Sequence, residues 1–196
     1  MSATTAAGRR TGEGTRAAIQ RVALDLFTSR GYETTSMREI ADQLGIKKAS
    51  LYYHFAGKED IVRSLFERRG HEAEEQLEWL RQQPRTPHLV RDTVMRWVDS
   101  FSEEKMQGIR FLTTNPLLAQ SLDRGAGDRI GEALSQLAQA LSELLPDQSP
   151  VFGLRLRMAL LSINAAVVAS TNGNYTDAEI LAAARASAIA AVDALF

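Results

Sequence analysis

The chain contains no cysteine. That excludes disulfides, thiolate zinc sites, cysteine-ligated iron–sulfur clusters and a cysteine nucleophile, and it fits a reducing compartment. No apolar run reaches the roughly 18 residues of a membrane span. The most apolar stretch, Met158 to Ala169, is short and is interrupted by Ser162 and Asn164. Behind the basic pair Arg9–Arg10 there is no apolar block, so no signal peptide is expected. The expectation is a soluble, cytoplasmic protein with no membrane partner. Strand-type alternation of apolar and polar residues bounded by turn residues is also missing.

Catalytic signatures are equally scarce. No serine stands in a GxSxG context, and two of the three histidines, His54 and His88, lie in a short helical segment and a proline-flanked turn. His71 with Glu67, Glu74 and Glu75 has the spacing of a metal-binding helix face, but it offers one histidine in a Glu-rich run that suits a solvated surface. The stretch Gly125-Ala-Gly-Asp-Arg-Ile-Gly131 has its last glycine one position too late for GxGxxG, and no strand precedes it. It reads as a connection between helices. No enzyme activity, metal or cofactor is expected.

What is present is a chain of 196 residues, 44% hydrophobic, long enough for one domain or for a small domain joined to a larger one. The net charge of −1 hides an asymmetry. Residues 1–58 carry nine Lys/Arg against five acids, whereas the remaining 138 carry 14 against 19. A basic N-terminal third suggests a polyanionic partner for that part alone.

Residues 1–12 are small and polar, with Arg9 and Arg10 their only charges, and are expected to form a disordered arm. Such an arm either enters a DNA minor groove or is a solvated tail. From Thr15, a helical stripe of Ile19, Val22, Ala23, Leu26 and Phe27 runs to Gly31. Ser36-Met-Arg-Glu39 has the capping-box pattern and opens a helix burying Met37, Ile40, Ala41 and Leu44, closed by Gly45. A short third helix follows over Lys47 to His54, with Leu51 and Phe55 facing inward. Helix, short glycine turn and second short helix make the helix-turn-helix pattern. The outward face of the third helix carries Lys47, Lys48, Ser50, Tyr52, Tyr53 and His54, a set unlike the Glu/Lys pairs of an idle solvated face.

A long helix is expected over 58–83, opening with acids in its first turn and ended by Pro84 and Pro87. Further helical segments fall near 87–105, 106–113, 116–123, 127–145, 150–171 and 176–195. The fold class is therefore all-α, with about nine helices: an N-terminal three-helix DNA-binding domain over 13–57 and a helical second domain over 58–196.

The run Ala23-Leu-Asp-Leu-Phe27, Gly31 through Ala41, Leu44-Gly-Ile46 and Ala49-Ser-Leu-Tyr-Tyr-His-Phe55, followed by Lys58-Glu-Asp60, resembles the TetR family of bacterial transcription regulators. The resemblance covers about residues 15 to 62. It implies a homodimer whose third helices enter successive major grooves of a double-stranded operator, and a second domain that binds a small-molecule effector. It also places DNA contacts at Thr35 and Arg38, at Lys48, Ala49, Ser50, Tyr52, Tyr53 and His54, and at Lys58. Lys47 joins them from the outward face. Hydroxyls, the imidazole and lysines suit phosphate contacts. For base reading the favoured pairs are Lys48 with guanine acceptors, Ser50 with either base pair and Ala49 with a thymine methyl.

The last two helices have more apolar surface than one inward stripe needs. Leu161, Ala165, Val168, Ala183, Ser187 and Ala190 are the candidate dimer interface, pairing with a second copy as a four-helix bundle, against the alternative of central core helices in a monomer. Trp79, Met95, Trp97, Phe101, Met106, Phe111, Phe152 and Met158 are either core residues or the lining of an apolar effector pocket, with Asn164, Arg110 or Arg155 as polar handles. The expected effector is lipophilic or amphipathic. Taken together, these features point to a repressor released from a pseudo-palindromic operator by that effector. The alternatives are an architectural DNA-binding protein without an effector, and a helical enzyme or carrier with an accessory DNA-binding module.

Overall fold

Ile19, Ala23, Leu26 and Phe27 recur at three- and four-residue intervals and are buried along α1 (Thr4–Arg30). The computed structural model describes residues 4–86, 88–122, 128–145, 149–171 and 173–196. After α1 come α2 (Met37–Leu44), α3 (Lys48–His54), α4 (Lys58–Arg81), α5 (Leu89–Asp99), α6 (Glu103–Thr114) and α7 (Pro116–Leu122). The chain continues with α8 (Asp128–Ser142), α9 (Pro150–Leu160), α10 (Ser162–Ala169) and α11 (Asp177–Asp193). Among the described residues there are eleven helices and no strand.

Two compact units divide the chain, Met1–Leu65 and Phe66–Phe196, so the boundary falls inside α4 and not at 57/58. In the first unit α1 packs on α2 and α2 on α3. Met37, Ile40 and Ala41 of α2, Leu51 of α3, and Phe55, Ile61 and Val62 complete its core. One polar pair crosses this interior: the Gln20 amide donates to the Ser64 hydroxyl at 2.8 Å. The expected arm 1–12 is corrected from Thr4 onward, where α1 already runs; residues 1–3 lie outside the described residues. Once the buried stripe of α1 nucleates the helix, each residue added upstream gains a backbone bond without a new nucleus.

In the second unit α11 packs on α5, α9 and α10, α8 packs on α9, and α10 packs on α6. The core is continuous from Ala73, Leu77 and Leu80 on α4 through Leu137 and Leu141 on α8 to Leu156, Ile163, Ala184 and Ala188.

One expected helix, 150–171, is broken in two, and the boundary expected between 105 and 106 falls earlier, between α5 and α6. The 87–105 segment stops at Ser100, and Ser102 caps α6 by accepting the Lys105 N–H at 3.4 Å. The 150–171 segment bends by 56° at Leu161. There the indole N–H of Trp97 donates to the Leu160 carbonyl at 3.0 Å, satisfying a main-chain group at the break. No single described helix is long and apolar enough to cross a membrane. The glycine-rich stretch 125–131 falls outside the described residues up to Gly127, as does Pro87.

Candidate nucleic-acid interface

The third helix is held by turns that need particular residues. Gly31 ends α1 at φ +96°, and Gly45 ends α2 at φ +66°, backbone values that favour glycine. At the second turn the Gly45 N–H donates to Asp42 and the Ile46 N–H to Ala41, the paired bonds of a Schellman ending. The start of α2 is fixed by the capping box: the Ser36 hydroxyl accepts the Glu39 N–H at 3.2 Å, and the Glu39 carboxylate accepts the Ser36 N–H at 2.8 Å. The Ser36 hydroxyl also donates to that carboxylate at 2.8 Å, and the bonds from the Ser36 N–H and hydroxyl hold the Glu39 carboxyl below its ordinary pKa, assisted by Arg30 and Lys58.

With both ends fixed, α3 presents its outer face to solvent. Leu51 is its one buried residue. Lys47, Lys48 and Ala49 are exposed, Ser50 and His54 are half-buried, and Tyr53 is 85% exposed. Tyr52 is partly covered by its own neighbour, Lys48, whose ammonium sits 5.5 Å from the ring centroid. From below, Arg16 stacks 4.1 Å over the Phe55 ring and donates to the His54 carbonyl at 2.9 Å, which locks the end of α3 to α1.

Three expected contacts take other positions. Thr35 is buried, and its hydroxyl donates to the carbonyls of Gly31 at 2.8 Å and Leu26 at 3.3 Å; it closes the turn between α1 and α2 and offers nothing outward. Lys58 donates to the carbonyls of Tyr32 at 2.6 Å and Glu33 at 3.3 Å and lies 4.5 Å over the Tyr32 ring. It ties α4 to that same turn. Burial, then Glu59 and Glu33, push the Tyr32 phenol above its ordinary pKa. Arg38 is well exposed but lies 3.6 Å from Asp42, one turn along α2. The outward set that remains is Lys47, Lys48, Ala49, Ser50, Tyr52 and Tyr53, with His54 and Arg38 at its margins.

In the second unit, Trp97, Phe101 and Met106 are buried in the main core, and Trp79, Met95 and Phe152 pack against it. Phe111 is buried as well. Trp97 and Phe101 meet edge to face at 5.7 Å. Met158 and Asn164 are corrected: both are exposed, because the inward stripe of α9 and α10 is taken by Leu156, Ala159, Leu160, Ile163 and Val167. Of the expected handles, Arg110 pairs with Asp177, and Arg155 donates to the Ala194 carbonyl at 2.9 Å. A cleft of about 380 Å³ lies between the end of α4 and α8, walled by Arg81, Gln83, Arg85, Gln136, Gln139 and Glu143; the expected aromatics lie elsewhere. His71 Nδ1 and the Glu74 carboxylate share one hydrogen bond at 3.1 Å, a surface pair.

The residue that the sequence reading missed is Arg69. Its guanidinium lies 4.3 Å from the Trp97 centroid and 4.0 Å from that of Phe101. The signal was present: Arg69 falls on the same spacing as Ala73, Leu77 and Leu80, a charged residue on the inward stripe of α4.

The geometry of the first unit defines a helix-turn-helix domain with a basic, hydroxyl-bearing outer helix. Residues 19–70 match the family model for bacterial regulatory proteins of the tetR family. The biofilm operon icaADBC HTH-type negative transcriptional regulator IcaR of Staphylococcus epidermidis is 47% identical over 45 residues, 23% of this chain and 24% of that protein. The HTH-type transcriptional repressor KstR2 of Mycobacterium tuberculosis is 44% identical over 50 residues, 26% of this chain and 25% of its own. The chain thus spans about a quarter of the length of the curated relatives it matches. A solved TetR-family regulator from Syntrophomonas wolfei superposes with a TM-score of 0.64 at 19% identity, covering 92% of this chain and 96% of that one. One from Mesorhizobium loti gives 0.61 at 20% identity, covering 93% and 97%. The SmeT–triclosan complex gives 0.60 at 16% identity, covering 93% and 90%. Residues 19–70 thus carry the match to the tetR-family model, and the fold of the whole chain is that of the solved TetR-family regulators.

Proposed function

We propose that the protein is a homodimeric, effector-responsive transcription regulator that represses by binding a pseudo-palindromic operator. The observation that carries this reading is the outer face of α3, where Lys47, Lys48, Ser50, Tyr52 and Tyr53 project from a helix anchored by one buried leucine. Lysines and hydroxyls meet phosphates, and the short side chains Ala49 and Ser50 let the helix approach base edges.

Dimerisation is assigned to α9, α10 and α11. Leu161, Ala165, Val168, Ala183, Ser187 and Ala190 are all exposed, and Leu154 and Met158, 59% and 60% exposed, extend the same apolar surface. A large apolar patch on a soluble face marks an interaction site. The pairing of curated relatives with repression, and the binding of triclosan by SmeT, support release by a small molecule. Such an effector acts only if it binds the DNA-incompetent conformation more tightly than the competent one.

Selection of bound fragments from the host's genomic DNA near 0.15 M salt tests the reading, with a Lys48→Ala/Tyr52→Ala protein as control. Enrichment of one pseudo-palindrome that the control loses is the expected result. Capture of DNA without sequence preference, with a full counterion-release salt dependence, would replace the regulator by an architectural protein.

A further inference from the structure

The second unit packs its aromatic side chains in one place and leaves open space in another. Trp97, Phe101 and Met106 belong to the continuous core, whereas the cleft of about 380 Å³ lies between the C-terminal end of α4 and α8. That volume falls at the small end of ligand sites, which run from about 300 to 1,000 Å³. Its α8 wall is a single helix face, because Gln136, Gln139, Ala140, Glu143 and Leu144 recur at intervals of three and four residues. The rest of the polar wall comes from Arg81, the last residue of α4, and from Gln83 and Arg85 in the segment that follows.

The lining decides what fits. Two guanidinium groups against one carboxylate, that of Glu143, leave the cleft with one positive charge in excess. Arg81 is only loosely engaged: it lies 3.9 Å from Glu78, with both side chains more than 60% exposed, a pairing that contributes little. Among the described residues no ion pair or hydrogen bond engages the Arg85 side chain. Leu89, the first residue of α5, also lines the cleft, and its N-cap His88 makes no side-chain capping bond, so the positive end of that helix borders the same space. Three carboxamides add groups that both donate and accept. Gln83 donates to the Trp79 carbonyl at 3.1 Å and Gln136 to Glu132 at 3.4 Å, and each keeps its amide oxygen for a further bond. Leu80, Leu89, Ala140 and Leu144 supply a narrow apolar part. None of the described lining residues is aromatic, so a base or aryl group finds no ring to stack on.

We propose that this cleft is the effector site and that it takes a small polar anion, a carboxylate or phosphate on a short hydroxylated body. Arg81 and Arg85 meet the anionic group, for which the guanidinium fork is shaped. Gln83, Gln136 and Gln139 meet the hydroxyls, and the leucines cover the carbon frame. This rests on the reading of the chain as an effector-responsive regulator, and it replaces the lipophilic effector expected from the sequence. The aromatic and methionine side chains that suggested such a molecule are packed in or against the core, apart from Met158, which is exposed.

The test titrates the full chain by calorimetry with glucose 6-phosphate and with gluconate. Glucose, inorganic phosphate and decanoate serve as the neutral, bare-anion and lipophilic comparisons. The expected result is saturable binding of glucose 6-phosphate or gluconate, roughly tenfold or more tighter than glucose, and the preferred one of the two names the anionic group. Gln139→Glu cancels the excess positive charge and should weaken that binding roughly tenfold or more. The double change Arg81→Ala/Arg85→Ala, at two exposed positions, should abolish it, and if that protein does not fold, Gln139→Glu carries the test. Absence of binding by both anions, equal binding of glucose, or binding that survives these variants unchanged overturns the assignment. Equal affinity for inorganic phosphate identifies an adventitious ion only, and tighter binding of decanoate restores a lipophilic effector; either result also overturns it. Genomic fragment selection on the same preparation separates the two claims. Operator binding without an anion response defeats this site alone, and an anion response without operator binding defeats the regulator reading and leaves the cleft as a binding site.

Discussion

The first unit carries its distinguishing residues on the outside, the second on the inside. In residues 1–65 the core is ordinary and small, and the unusual feature is a seven-residue helix with two tyrosines and a lysine facing solvent, capped by a second exposed lysine, Lys47. In residues 66–196 the surface is ordinary apart from its apolar helix face, and the unusual feature is a largely covered guanidinium packed against two aromatic rings. An exposed aromatic breaks the norm for a solvated helix and so advertises itself. A buried charge is recognisable only once the inward stripe of its helix is known.

Four perturbations sharpen that contrast. The largest effects come from the two cores. Leu51 and Leu137 are both fully buried, and Leu→Ala at either should cost about 2–5 kcal/mol in chemical denaturation. If the contrast is correct, the penalties are similar, because the units differ in where their special groups lie and not in how they are packed. Next come Ala183→Arg and Ala190→Arg on the exposed face of α11. They should halve the mass in sedimentation and weaken operator binding by roughly 100-fold or more through loss of the second half-site. A dimer of normal mass carrying both changes would remove that face from the interface.

A smaller effect compares two capping boxes, one in each unit. Thr176 and Glu179 repeat at α11 the reciprocal bonds that Ser36 and Glu39 make at α2. Ser36→Ala and Thr176→Ala should each cost about 1 kcal/mol. Both glutamates are held below their ordinary pKa, first by the backbone bond and then by the side-chain bond from the cap residue. Their contribution is therefore present in full above the unfolded carboxylate value and is lost as the pH falls through the lower folded one. The melting-temperature gap between the wild type and Glu39→Gln or Glu179→Gln should close below about pH 4. The smallest effect expected is that of Lys48→Ala on salt dependence, where the slope of log affinity against log salt should fall by about one if the lysine meets a phosphate. An unchanged slope with lost sequence preference would instead assign Lys48 to a base edge.

The all-helical architecture and the helix-turn-helix were legible because their signals are local. The capping box at Ser36, the glycines at 31 and 45 and the apolar spacing of α1 each act within a few residues. What was not legible depends on long-range partners. Leu161 has no breaker beside it, and the bend there is matched by the Trp97 indole, 63 residues away in the chain. Thr35 and Lys58 have side chains suited to phosphate, yet main-chain carbonyls of the turn between α1 and α2 take up both. Met158 and Asn164 belong by type to a pocket, but the helical phase of α9 and α10 turns them outward. Arg69 was passed over because a single arginine on a long, charged helix looks like surface until its phase against Ala73 and Leu77 is read.

The economy of α3 has an evolutionary consequence. One residue in seven is buried and Ser50 and His54 are half-buried, so the remaining four positions are free of packing obligations. Under the proposed reading, substitutions at Lys48, Ala49, Tyr52 and Tyr53 change the DNA sequence that the helix meets while leaving the domain's stability almost untouched. A duplicated copy could acquire a new operator in a few steps while keeping the same scaffold, turns and partner surface.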